Sequence, residues 1–179
     1  MQKLTHQQLL DRQKNCSEKA LKIPVVAVLN NIRSLHNVGS LFRTADAAGL
    51  SKLWLCGITG IPPDSKISKT ALGAEKHVPW EFCADALSCV SKLKAEGFEI
   101  VLLEQTSKSI SYDSFVPSGK TCLVIGNEVA GVSDELLALS DRAIEIEMVG
   151  LKNSLNVTVA FGITVYHLRH CFISGQSGS

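Results

Sequence analysis

Long apolar runs, paired cysteines, a strong net charge and a glycine-rich phosphate loop are all missing from this chain, and each absence narrows what it can be. The longest apolar stretches, such as residues 25–29, fall far short of the roughly 20 residues that cross a bilayer, so no transmembrane helix is expected. The N-terminus carries His6 and glutamines where a secretory leader would need an apolar centre, which makes cytoplasm the expected location. Cys16, Cys56, Cys83, Cys89, Cys122 and Cys171 form no CxxC pair, so neither a disulfide framework nor a zinc ribbon is indicated. They are expected to be reduced thiols, mostly buried. A formal net charge of +1 argues against a protein that coats nucleic acid by bulk electrostatics.

What is present is a core. Hydrophobic residues make up 45% of 179 residues, too many for a disordered chain, and no linker-like stretch interrupts the sequence before the tail after Cys171. One domain over residues 1–179 is expected, with residues 1–22 as an N-terminal helical extension. That extension holds Lys3, Arg12, Lys14, Lys19 and Lys22 against Asp11 and Glu18, whereas the stretch from Asn127 to Glu147 is acidic apart from Arg142. The basic run fits a local nucleic-acid contact or a solvated helix face equally well.

Strand and helix patterns alternate along the chain. Thr5 and Gln8 have capping-box spacing, and a first helix is expected from about Thr5 to Ala20, ended by Pro24. Residues 25–29, apolar and β-branched without a break, read as a strand buried on both faces. A helix from Asn37, taken as its N-cap, to Gly49 follows. Strands are then expected at 52–56, 78–82, 99–103, 121–125 and 143–146. Helical segments are expected near Lys69–Leu72, at 84–95, from Ser133, and from Ser154 to about His170. This alternation predicts an α/β fold, a mostly parallel sheet with helices on both faces.

Three segments could carry chemistry. On the helix from Asn37, Val38, Leu41, Phe42 and Ala45 form a core stripe, and Arg43 points away from it among Gly39, Ser40 and Ala47. Small residues there suggest close approach by another group, although a plain outer face with a surface arginine fits as well. Residues 121–131 run from a buried strand through Gly126 to Gly131, bracketing Glu128 at the carboxyl edge where ligands bind in open α/β sheets. An exposed glutamate in a glycine-rich turn is the alternative. The last helix carries Leu155, Val159 and Tyr166 on one side and Val157, Phe161, Thr164 and Leu168 on the other. Both faces therefore ask for cover, by a partner subunit or by a central position in one domain.

Other signals fail. Ser118 to Thr121 resembles the end of a phosphate-binding loop, but Ser114 replaces its first glycine and the segment precedes a strand. No GxGxxG follows the first strand, so a dinucleotide site is not indicated. His167, His170 and Cys171 suit a helix C-terminus without any metal, and none is expected.

In this order, the three segments resemble the SpoU (TrmH-type) family of the SPOUT superfamily of RNA methyltransferases. Asn37 to Gly49 (NVGSLFRTADAAG) is similar to the family's first motif, Leu123 to Val132 (LVIGNEVAGV) to its second, and Ile146 to Ala160, with Asn153-Ser-Leu-Asn156, to its third. Lys69 to Glu75 (KTALGAE) matches a further stretch of many members. The resemblance implies a C-terminal deep trefoil knot, S-adenosylmethionine as cofactor (S-adenosylhomocysteine as product), methylation of a ribose 2′-hydroxyl in structured RNA, and a homodimer. It implies cofactor contacts from Ile125, Gly126, Ile146, Met148, Gly150 and Leu155. It assigns the catalytic site to Arg43 with Asn37, Glu128, Ser154 and Asn156. An arginine stays protonated in proteins, so Arg43 is expected to pair with a phosphate or stabilise charge on the oxygen.

Two departures stand out. Glu147 replaces a proline of many members, and no separate N-terminal RNA-binding domain is present, which tilts the expected substrate toward tRNA over rRNA. A non-catalytic RNA-binding module with the same fold is the alternative, and loss of Arg43 or Asn156 would have marked it. A flavodoxin-like or other nucleotide-binding α/β protein would need a phosphate loop where residues 29–33 offer none.

Overall fold

The computed structural model describes residues 2–17 and 22–176. Seven strands form one sheet: β1 (Ile23–Asn30), β2 (Leu50–Cys56), β3 (Trp80–Cys83), β4 (Glu99–Leu103), β5 (Ile110–Ser111), β6 (Thr121–Ile125) and β7 (Arg142–Glu145). Their order is β3-β2-β1-β6-β4-β7-β5, and every pair in the sheet is parallel. The helices are α1 (His6–Ser17), α2 (Leu35–Ala48), α3 (Ser65–Ala71), α4 (Ala86–Ala95), α5 (Asp134–Leu139) and α6 (Val157–Gln176).

Strand alternation divides the core in two. Val25, Ala27 and Leu29 of β1, with Leu123 and Ile125 of β6, face α2, α3 and α6; Val26 and Val28, with Cys122 and Val124, face α4 and α5. That is why β1 is apolar without a break: both of its faces are covered. Leu41 and Phe42 of α2 and Phe161 of α6 are fully buried on the first face, each worth ~1.5–3 kcal/mol relative to exposure. On the second face burial and the neighbouring Cys89 push the Cys122 thiol up, so it stays protonated. Cys56 and Cys89 are buried there too, whereas Cys83 and Cys171 are half-buried and all are free thiols; the Cys16 side chain lies outside the described residues.

Several boundaries differ from the sequence expectation. Thr5 and Gln8 do cap α1 reciprocally, but α1 reaches Ser17 and the expected end at Ala20 falls outside the described residues. Pro24 does not stop that helix; it is the exposed second residue of β1, at a register shift between Ile23 and Val26. A proline is tolerated there because an irregular strand end needs no donor at that position. Asn37 is not the N-cap of α2. Ser34 is, its hydroxyl accepting the Asn37 amide at 3.3 Å, and Gly49 closes the helix at φ 72°. α6 begins at Val157 rather than Ser154, with the Asn156 side chain accepting the Thr158 amide at 2.9 Å. The closely packed neighbour of Gly39 is α3: a Cβ at Gly39 would overlap the Ile67 carbonyl and the Thr70 hydroxyl. No ligand is needed to explain that glycine. Among the described residues no helix is long and apolar enough to cross a membrane.

Candidate active site

The carboxyl ends of β4, β6 and β7 open into a cavity of ≈ 610 Å³, within the usual range for small-molecule sites. It lies at the sheet's carboxyl edge, where ligands bind in open α/β sheets.

One wall is the turn after β6. Gly126 lines the cavity, but its missing side chain is explained by Gly131, whose backbone a Cβ at Gly126 would overlap. Asn127 and Gly131 exchange backbone hydrogen bonds at 3.0 and 2.9 Å. The Asn127 side chain accepts the amides of Val129 and Ala130, both at 2.9 Å, and donates to the Asn31 carbonyl at 2.9 Å. Asn31, just past β1, sits in the left-handed region at φ 59°, and its side chain accepts the Ile58 amide. The exit of β1 is held further by Thr59, whose hydroxyl donates to the Leu29 carbonyl at 2.8 Å and accepts the Ile32 amide at 3.0 Å. The turn is thus tied to the segment that starts α2.

That tie positions Glu128. Its Oε1 accepts the Asn37 side-chain amide at 3.1 Å and its Oε2 the Arg33 backbone amide at 3.4 Å. The carboxylate therefore sits at the amino end of α2, where the helix dipole favours negative charge. Freed from capping, Asn37 meets Glu128 instead.

The other wall is the loop after β7 and the start of α6, contributing Ile146, Met148, Ser154, Leu155 and Asn156. Gly150 does not line the cavity, and a Cβ there would meet nothing within 4 Å. Arg43 also lies outside the cavity lining: it is exposed on α2 and makes no hydrogen bond or ion pair among the described residues. Sequence reasoning missed Asn127, Glu104 and Gln105. Their signal was available, since each is a polar residue at or just past the carboxyl end of a buried strand.

The lining suits a ligand that is part apolar and part cationic. Ile125, Ile146 and Leu155 supply apolar surface, and three carboxylates, Glu104, Glu128 and Glu145, ring the space. A flat heterocycle and a positively charged sulfonium or ammonium both find complements there. Among the described residues no group of three or more His, Cys, Asp or Glu is arranged to hold a metal, and His167 instead meets the Phe115 carbonyl at 2.7 Å.

Fold and cavity together define an open, parallel α/β protein with a ligand-sized cavity at the carboxyl ends of β4, β6 and β7. Comparison with known proteins makes the class specific. The model of the SpoU rRNA methylase family matches residues 24–166, and the chain belongs to that family. It is 32% identical over 167 residues to the tRNA (guanosine(18)-2′-O)-methyltransferase of Aquifex aeolicus, covering 93% of this chain and 78% of that protein. It is 35% identical over 152 residues to the 23S rRNA (guanosine(2553)-2′-O)-methyltransferase RlmP of Bacillus subtilis, covering 85% of this chain and 60% of the relative. Among solved structures, the A. aeolicus TrmH/SpoU tRNA modifying enzyme superposes with a TM-score of 0.81 at 29% identity, covering 94% of this chain and 86% of that one. The SpoU methyltransferase AviRb from Streptomyces viridochromogenes, solved with AdoMet, superposes with a TM-score of 0.77 at 26% identity over 86% of this chain and 62% of that one.

Proposed function

We propose that the protein is an S-adenosylmethionine-dependent RNA methyltransferase acting on a ribose 2′-hydroxyl, with tRNA favoured over rRNA as substrate. The observation that carries this reading is the meeting of three segments distant in sequence: Glu128 of the second segment bonds Asn37 of the first, and Ser154 and Asn156 of the third line the same cavity. The tRNA preference rests on the A. aeolicus relative, whose length this chain spans more fully than that of the ribosomal-RNA enzyme.

S-adenosylmethionine would supply an electrophilic methyl group on a positive sulfonium. The apolar residues Ile125, Ile146 and Leu155 and the acidic rim are the groups that would hold it. Much of the acceleration then comes from placing the ribose oxygen in line, which is a task of position more than of covalent chemistry. Arg43, free at the surface of α2, orients the acceptor by pairing with a phosphate or with charge developing on the oxygen. Glu128, fixed by Asn37, is placed to take the hydroxyl proton or to hold a polar partner. The stretch from β6 through α6 is the part threaded as the family's trefoil knot, on one domain with α1 as an appended helix. The proposed location is the cytoplasm.

A homodimer completes the proposal. Val159 and Tyr166 on the outer side of α6 are 49% and 50% exposed, and Val149 and Leu151 on the neighbouring loop are more exposed still. Apolar surface of this kind is what a second copy would cover. Phe161 and Val165, by contrast, are fully buried within the subunit and belong to its core.

The test is methyl transfer from labelled cofactor to total RNA, with nuclease mapping of the modified nucleotide, alongside calorimetry with S-adenosylmethionine, S-adenosylhomocysteine and NAD. Label in a 2′-O-methyl nucleotide and binding of the sulfur compounds alone are expected. Heat of binding for NAD and none for the others would overturn the assignment.

A further inference from the structure

β4 ends in Leu103, and the two residues after it, Glu104 and Gln105, reach both walls of the cavity. The Glu104 amide donates to the Ile144 carbonyl at 3.0 Å, which anchors the pair to β7. Glu104 Oε1 accepts the Gln105 amide at 2.9 Å, and Oε2 accepts the Val132 amide at 3.3 Å, closing the turn after β6. A side chain on Gly131 would overlap that same carboxylate, so turn and glutamate are fitted to each other. Gln105 turns the other way. Its Nε2 donates to the Asn153 carbonyl at 2.7 Å.

That bond stands nearly alone. Among the described residues it is the one hydrogen bond that reaches residues 147–155, the loop that brings Met148, Asn153, Ser154 and Leu155 to the cavity. The loop has no regular structure, and Val149 and Leu151 on it are almost wholly exposed, so no packing within the subunit replaces the missing ladder.

We propose that Glu104 and Gln105 are positioning residues for the cofactor, with Gln105 acting as a latch. When the Gln105–Asn153 bond breaks, the loop swings from the cavity and admits the ligand; when it re-forms, Ser154, Leu155 and Asn156 are returned to their places. Glu104 keeps the opposite wall fixed meanwhile. The inference rests on the reading of the cavity as the S-adenosylmethionine site.

The experiment compares wild type with Gln105→Ala and Gln105→Glu, the second keeping the size while removing the donor. Gln105 is exposed, so both variants should fold. Hydrogen exchange of the amides of residues 147–155 in cofactor-free protein should speed up about three- to ten-fold in both, the scale of one lost hydrogen bond, while residues 126–132 are unaffected. The Kd and KM for S-adenosylmethionine should rise by a similar factor, with kcat falling by less. Unchanged exchange in the loop overturns the latch whatever the cofactor does. Wild type that binds no S-adenosylmethionine overturns the proposed function instead, and the exchange result still decides whether Gln105 holds the loop.

Discussion

The turn after β6 and the loop after β7 face each other across one cavity, yet they are built in opposite ways. Residues 126–132 are closed by a backbone bridge, an asparagine side chain with three hydrogen bonds, the Glu104 carboxylate from the end of β4, and the bonds of Glu128 to Arg33 and Asn37. Residues 147–155 hang on one bond from Gln105. Local stability follows such counts, so the first wall should open only with the domain and the second on its own. The difference teaches how a parallel sheet can present a fixed carboxylate, Glu128, and still let a ligand in: rigidity and access are assigned to separate strands.

The largest expected effect lies outside both walls. Arg43→Ala should lower turnover by roughly 100-fold or more, the scale for loss of a preorganised charge-stabilising donor. Melting temperature and cofactor affinity should hold, because Arg43 touches neither core nor cavity. Lysine should rescue only in part, since an ammonium lacks the planar fork. Steady-state kinetics on the native RNA with a thermal melt decide it; near-normal turnover, or an unfolded variant, removes Arg43 from the chemistry.

Tyr166→Glu tests whether the open loop leans on a second copy. The Kd of the proposed dimer should rise roughly 30-fold or more, as for an interface hot spot, and the loop after β7 should exchange faster. Phe161→Glu should instead unfold the subunit, and sedimentation velocity separates the two outcomes. Tyr166→Glu protein that stays dimeric would place the interface elsewhere.

Asn127→Ala attacks the rigid wall directly. Leaving the Asn31 carbonyl and the Val129 and Ala130 amides without their partner should cost about 1–3 kcal/mol, read as lost thermal stability. The matching change in the other wall, Ser154→Ala, should leave the melt alone, because Ser154 makes no hydrogen bond among the described residues. Equal effects of the two would erase the contrast between the walls.

The smallest effect is a control remote from the site. Asp85 caps α4, and hydrogen bonds from the Ser88 side chain and amide hold its carboxyl below the usual carboxylate range. A depressed folded value means the cap's contribution is fully present above the unfolded pKa of about 3.9 and fades only as pH falls through the lower folded value. The melting difference between wild type and Asp85→Ala should thus persist from neutral pH to about pH 4 and vanish below it. Cofactor affinity should not change.

Period-two and period-3.6 patterns made the α/β class, β4 and β6 legible to the residue, because continuous apolar runs bounded by polar ones admit little else. Helix starts were less legible. Asn37 and Asn156 both look like caps, and only tertiary contact separates them: Glu128 takes the Asn37 side chain, while Asn156 is left to its own helix. β5 escaped notice because two residues show no period. The close approach that Gly39 signals is made by α3, whereas Gly126, at the edge where a ligand is expected, makes room for the Gly131 backbone of the same chain. Glu104 and Gln105 stand just past the end of β4, but that Gln105 meets the loop after β7 shows only in the fold.

The position of β6 between β1 and β4 has a consequence for biosynthesis. While the chain is still emerging, β1 can pair with β2, but its other edge stays bare until Thr121–Ile125 has been made. β4 has no partner at all before that point. Nascent chains stalled short of β6 would therefore carry an unpaired apolar strand edge, the kind of surface that recruits chaperones or other stalled chains. The middle of the sheet is joined late, and most of the chain must leave the ribosome before β1 and β4 gain the neighbour they share.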